Sequence, residues 1–229
     1  MAAVIVISLI LLVIIVGPGF WASRVIKRNG AERLDFPGSG GEFARHLIDI
    51  AGLEDVGVEV TNQGDHYDPE KRMVRLTADH MHGKSLAAVT IAAHEVGHAL
   101  QHRDGYWAFN IRQPLVRISN LAVQISMIVW SISLIAGPLL KAPGLPIGMG
   151  LMFLAAVALS AATRLITLPV EFDASFGRAL PILDRGQFLG EADMPQAREL
   201  LTAAAMTYVS NSLMGMLLLL RQLLPFLRF

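Results

Sequence analysis

The chain contains no cysteine. Disulfide scaffolds, thiol nucleophiles, iron–sulfur clusters and cysteine-bound zinc are therefore all excluded. Charge is scarce as well: 17% of the 229 residues are Asp, Glu, Lys or Arg, against about 25% in an average soluble domain. Neither sign is in surplus, with 19 basic and 19 acidic side chains, so no basic character points to nucleic acid. What remains is apolar, 53% of the chain. This balance argues against an ordinary soluble enzyme and for a membrane protein with one modest polar domain.

The few charges are unevenly placed. All except Lys141, Arg221 and Arg228 fall in two blocks, residues 24–117 and 164–201, and all seven histidines lie in the first. Four uncharged apolar stretches are long enough to cross a bilayer core, which takes about 20 helical residues. They run from Ala2 to Ala22, from Ile118 to Leu140, from Leu145 to Thr163 and from Ala203 to Leu220. Gly137, Pro138, Pro143, Gly144 and Pro146 mark a turn between the second and third. The first stretch reads as a retained anchor rather than a cleaved signal, because no Lys or Arg precedes it while Arg24, Lys27, Arg28 and Arg33 follow.

The expected architecture is a mainly α polytopic membrane protein with about four transmembrane helices and a small α+β polar domain. Its parts are an anchor (1–23), a polar domain (24–117), a transmembrane hairpin (118–163), a helical segment (164–202) and a C-terminal transmembrane helix (203–229). Lys and Arg flank the spans on the side of both charged blocks, whereas the loop of the hairpin has only Lys141. The polar domain is accordingly expected in the cytoplasm of a multi-pass cell-membrane protein, with both termini outside. Within the polar domain Pro37–Gly41 reads as a linker before a helix over 42–52. Gly57–Thr61 and Met73–Thr77 alternate as strands around a turn from His66 to Arg72.

Chemistry concentrates between Ser85 and Gly105. Ser85 can cap a helix, an alanine-rich interior follows, and Gly105 can end it. His94 and His98, four apart, then share one helix face with Glu95 beside them, which is H-E-x-x-H. In that arrangement two His hold Zn²⁺ and the Glu is the general base toward water whose pKa the metal lowers to about 7. A catalytic zinc needs a third protein ligand. His102 cannot serve, since eight residues place it about 12 Å along the helix from His94. The metzincin pattern fails as well, because Gln101 and Asp104 stand where its Gly and His belong. A carboxylate from the second charged block remains: Glu171, the first acid after the third span, with Asp173 as the weaker candidate.

These residues resemble the YugP-like membrane zinc metallopeptidases, a branch of the gluzincins, over nearly the whole length. The resemblance rests on Asp65-His66-Tyr67-Asp68-Pro69, on Ala93-His94-Glu95-Val96-Gly97-His98-Ala99, on Leu168-Pro169-Val170-Glu171-Phe172 and on Ala203-Ala204-Ala205-Met206-Thr207-Tyr208. It implies a zincin-like fold for the α+β polar domain and one Zn²⁺ per chain on His94, His98 and Glu171, with Glu95 as general base and a polypeptide as substrate. The related gluzincin pattern has an Asp four residues after the ligand Glu; here Ser175 stands there, leaving the support of the zinc histidines to Asp173 or to another group. Further expectations are an active site at the membrane surface, where the substrate is the juxtamembrane part of a membrane protein. His66, Tyr67, Arg178 and Tyr208 are candidate oxyanion or substrate contacts, with turn packing the alternative for the first two. The rival to an endopeptidase is a non-catalytic zinc-containing membrane adaptor, which would have no use for Glu95.

Overall fold

The computed structural model of the chain describes residues 2–186 and 188–207, with only the backbone of residues 2–12, 14, 15 and 164. Helix α1 (Ala2–Arg28) leads into the polar domain, burying Ala22 and Val25 against it while Phe20 stays exposed. The expected linker is instead part of the fold. Ser39 and Glu42 form a reciprocal capping box at the start of α2 (Gly40–Ile50). Gly40 lies so close to the next elements that a Cβ there would sit 2.4 Å from the His80 carbonyl and 2.7 Å from that of Ala88. Ala44, Leu47 and Ile48 form the buried face of α2.

Three short strands follow, β1 (Gly57–Val60), β2 (His66–Asp68) and β3 (Met73–Leu76), in the order β1-β3-β2. The two strands expected from alternation are present, but they pair in parallel, Gly57 with Met73 through Val60 with Leu76. The expected turn supplies the third strand, antiparallel to β3. The cause is local: Asp68 Oδ1 accepts from the backbone N–H of Glu70 and Lys71, and Arg72 takes a positive φ of 50°. The chain therefore reverses after residue 68 instead of across the whole of 66–72.

Helix α3 (Ala78–His82) is a single turn or so before α4 (Leu86–Arg103), the core of the domain. Ser85 caps α4 by accepting from the Ala88 N–H at 3.1 Å, and Gly105, with φ +65°, follows its end. Every residue of α4 from Leu86 to Gln101 is buried. A helix buried all round needs small residues, which explains its five alanines between 87 and 99.

Helices α5 (Trp107–Leu139) and α6 (Gly144–Phe172) form a hairpin through a turn at Lys141, φ +53°. At 33 residues, α5 is about 50 Å long, well beyond the roughly 30 Å of a bilayer core. The helices meet through small residues: Gly150 lies against Trp130, whose ring stacks on Phe153 at 5.2 Å. Ser119, Ser126 and Ser133 are buried on α5, each hydroxyl donating to a carbonyl of its own helix. Ile118, Leu121, Ile125, Ile128, Ile132 and Ile135 are exposed, an apolar surface suited to lipid. From Phe172 the helix continues as a π-helical segment (Asp173–Ala179) and then α7 (Leu180–Arg185); residues 194–207 are helical again.

Among the described residues, two helices are long and apolar enough to cross a membrane, Trp107–Leu139 and the continuous helix Gly144–Arg185. They cover the second expected span as far as Leu139 and the whole of the third. The first expected span falls within α1, where most side chains are not described. The fourth lies outside the described residues apart from 203–207.

Candidate metal centre

Helix α4 and the far end of α6 build the site between them. On α4, His94 and His98 lie one turn apart with ring centroids 4.8 Å from each other. Glu171 is the penultimate residue of α6, and Gly97 is what lets that helix come close. A Cβ on Gly97 would lie 2.7 Å from the Ala174 carbonyl, so only glycine permits this backbone-to-helix approach. His94, His98 and Glu171 converge, all three buried, with one donor atom of each within 4.8 Å of the others. Glu171 Oε2 is 3.4 Å from His94 Nε2 and 3.3 Å from His98 Nε2.

The hydrogen bonds behind the imidazoles define their tautomers. Gln101 Nε2 donates to the Val170 carbonyl at 2.7 Å and to Asp173 Oδ2 at 2.8 Å. Its Oε1 therefore faces His98 Nδ1, 2.9 Å away, and accepts a proton from it. Ser175 Oγ lies 3.1 Å from His94 Nδ1 and donates its own hydrogen to the Leu201 carbonyl at 3.5 Å, so it too accepts from the imidazole. With both Nδ1 atoms donating, both Nε2 atoms present lone pairs toward Glu171 Oε2.

Three acceptors facing one another with no donor between them call for a cation. The buried side-chain atoms without a hydrogen-bond partner among the described residues are Thr90 Oγ1, His94 Nε2, Glu95 Oε2 and Glu171 Oε2, three of them at this site. The size is also right. Tetrahedral zinc with bonds of 2.0–2.1 Å holds its donors about 3.3–3.4 Å apart, matching the two separations from Glu171. The His₂Glu donor set, borderline nitrogen with one carboxylate, suits zinc.

Glu95 is buried beside this cluster. Burial pushes its carboxyl up to about 7, His94 opposes that rise, and Glu171 and Asp65 add to it. A carboxyl poised there exchanges protons readily near neutrality. Arg112, from the first turns of α5, donates through Nη1 to Glu171 Oε1 at 2.8 Å.

The other candidates occupy different places. Asp173 accepts from Gln101 and from Arg178 Nε at 2.9 Å, so it acts behind His98 rather than among the converging donors. Arg178 also pairs with Asp104 and is linked to Gln101 through Asp173, which accepts from both. Tyr67 shares a hydrogen bond of 2.9 Å with His102 Nδ1, and His66 Nδ1 lies 2.8 Å from the Gly64 carbonyl. Tyr208 lies outside the described residues. Ser175, whose presence leaves the support of the zinc histidines to Asp173 or another group in the sequence reading, itself provides the acceptor for His94. Gln101 and Arg112 were not singled out from the sequence. Gln101 had a usable signal, its i+3 spacing from His98, whereas nothing around Arg112 distinguishes it from the neighbouring Arg117.

Similarity to known proteins extends over most of the chain. The family model described as "Putative neutral zinc metallopeptidase" matches residues 4–227. The chain is 37% identical over 217 residues to "Putative membrane protease YugP" of Bacillus subtilis (strain 168), covering 92% of each chain. No solved structure matches it.

Proposed function

The chain belongs to the neutral zinc metallopeptidase family, and on that premise we propose that it is a membrane-embedded zinc endopeptidase with its active site at the cytoplasmic surface of the bilayer. The observation that carries this reading is the meeting of three buried acceptors, His94 Nε2, His98 Nε2 and Glu171 Oε2, beside a Glu95 Oε2 that has no partner among the described residues. Zinc bound there supplies a Lewis acid that acidifies water and polarises a peptide carbonyl. His94 and His98 bind through Nε2, held in register by Ser175 and Gln101. Glu95 Oε2 takes the proton of the attacking water and delivers it to the nitrogen of the leaving peptide, so the carboxylate is regenerated in each turnover. Burial of the four side chains excludes bulk water from these transfers. A buried carboxyl whose Oε2 has no hydrogen-bond partner among the described residues is costly to keep, and an adaptor has no use for it.

The depth of the site supports a substrate near the membrane. Arg112, which touches Glu171, precedes the apolar run beginning at Ile118 by six residues, about 9 Å along the helix. Purified full-length protein in liposomes is expected to cleave a membrane-tethered unfolded segment in preference to the same segment free in solution. Cleavage should stop on chelation and return with added zinc. Cleavage that persists after complete zinc removal would overturn the proposal, and equal rates on both substrates would overturn its membrane restriction.

A further inference from the structure

Arg112 has no part in the proton transfers above, yet it reaches the carboxylate at the centre of the site. Its Nη1 donates to Glu171 Oε1 at 2.8 Å, with the Glu171 side chain wholly buried and that of Arg112 20% exposed. The other oxygen, Oε2, is the one that faces both imidazoles and has no hydrogen-bond partner among the described residues. The two oxygens of one buried carboxylate are thus assigned to different neighbours, one to a guanidinium and one to the histidine pair.

We infer that Arg112 is a positioning residue that makes Glu171 a one-oxygen metal ligand by retaining Oε1 for itself. This rests on the zinc peptidase reading and adds to it a determinant of coordination number. A carboxylate that gave both oxygens, beside two imidazoles and a water, would raise the coordination to five, above the four of a zinc held by three protein ligands and a water. By engaging Oε1, Arg112 holds the set at four, with one position left for water. It also compensates the buried charge of Glu171 without covering the oxygen aimed at the metal. A guanidinium suits this task better than an ammonium, because its planar fork fixes the direction of the carboxylate whereas lysine is a mobile point charge. Because Arg112 belongs to α5 and Glu171 to α6, the bond also ties the metal centre to both helices of the apolar hairpin.

The test uses detergent-purified full-length protein with Arg112→Met, Arg112→Lys and, as control, Arg117→Met. Arg117 lies on the same helix but pairs with Glu70 at an exposed surface. Zinc affinity is read by competition with a chelator, and coordination by the visible absorption of the cobalt-substituted protein, which is strong for four-coordinate Co²⁺ and weak for higher coordination. Arg112→Met should weaken zinc binding by about 10–100-fold and lose cobalt absorption as Glu171 turns to give both oxygens. Arg112→Lys should recover part of the affinity but not the spectrum, and Arg117→Met should match wild type in both. Wild-type affinity and spectrum in Arg112→Met would overturn the inference. If Arg112→Met does not fold, Arg112→Lys decides, and a wild-type cobalt spectrum in it overturns the inference. Wild-type protein that binds no zinc would instead overturn the peptidase reading itself, a result distinct from these.

Discussion

Glu95→Gln is expected to reduce peptide hydrolysis by about 10²–10⁴-fold, the usual contribution of a general base, while keeping zinc. The substitution preserves the shape of the side chain but removes its ability to accept a proton. Glu95 is buried, and its Oε2 has no partner among the described residues, so no stabilising hydrogen bond to that oxygen is lost. The metal donors are His94, His98 and Glu171, none of which depends on a hydrogen bond from Glu95. Turnover, zinc content and melting temperature measured on the same preparations separate these effects. Activity within tenfold of wild type would remove Glu95 from the chemistry, and loss of zinc together with activity would make its role structural.

Gly97→Ala should be among the most damaging single-methyl changes in the chain. The added Cβ would lie 2.7 Å from the Ala174 carbonyl oxygen and 3.4 Å from two further backbone atoms of that residue. Backbone on both sides cannot rotate away, so α4 and the π-helical segment must separate. Overpacking of this kind costs about 1–3 kcal/mol. Its larger consequence is functional, because Ala174 lies three residues after Glu171, and the shift that relieves the clash draws Glu171 Oε2 away from the imidazoles. Reduced thermal stability and substoichiometric zinc are expected together. The control is Gly148→Ala in α6, where a Cβ meets nothing within 4 Å and the change should be neutral or stabilising by up to about 1 kcal/mol. Wild-type stability and zinc content in Gly97→Ala would show that the two helices are not held at this distance.

The legible parts of this molecule are those whose determinants are close in sequence. The zinc-type helix was readable from Ser85 to Gly105 because its cap, its stop and its i, i+4 histidine spacing all lie within one element. Glu171 was readable as the first acid after an apolar span. The sheet was legible only as strands. Whether β1 pairs with β3 in parallel or across a turn depends on where Asp68 reverses the chain, and on non-local backbone bonds that alternation does not encode. In the sequence Gln101 is only a mismatch to another protease pattern. Its function depends on Val170 and Asp173, some seventy residues away on another helix. Arg112 was hidden for the same reason, a charged residue among others until the fold sets it against Glu171. Of the four apolar spans, length and composition in the described residues support the central two.

The central claim is that Glu171 completes a zinc site with His94 and His98. The most direct test is the zinc content per chain of detergent-purified wild type, Glu171→Ala and Asp173→Asn. One zinc per chain in wild type and Asp173→Asn, lost in Glu171→Ala, is the expected result. Asparagine at 173 retains a carbonyl to accept from Gln101, whereas alanine at 171 removes a ligand. Zinc retained at full stoichiometry in Glu171→Ala, or absent from wild type, would contradict the account.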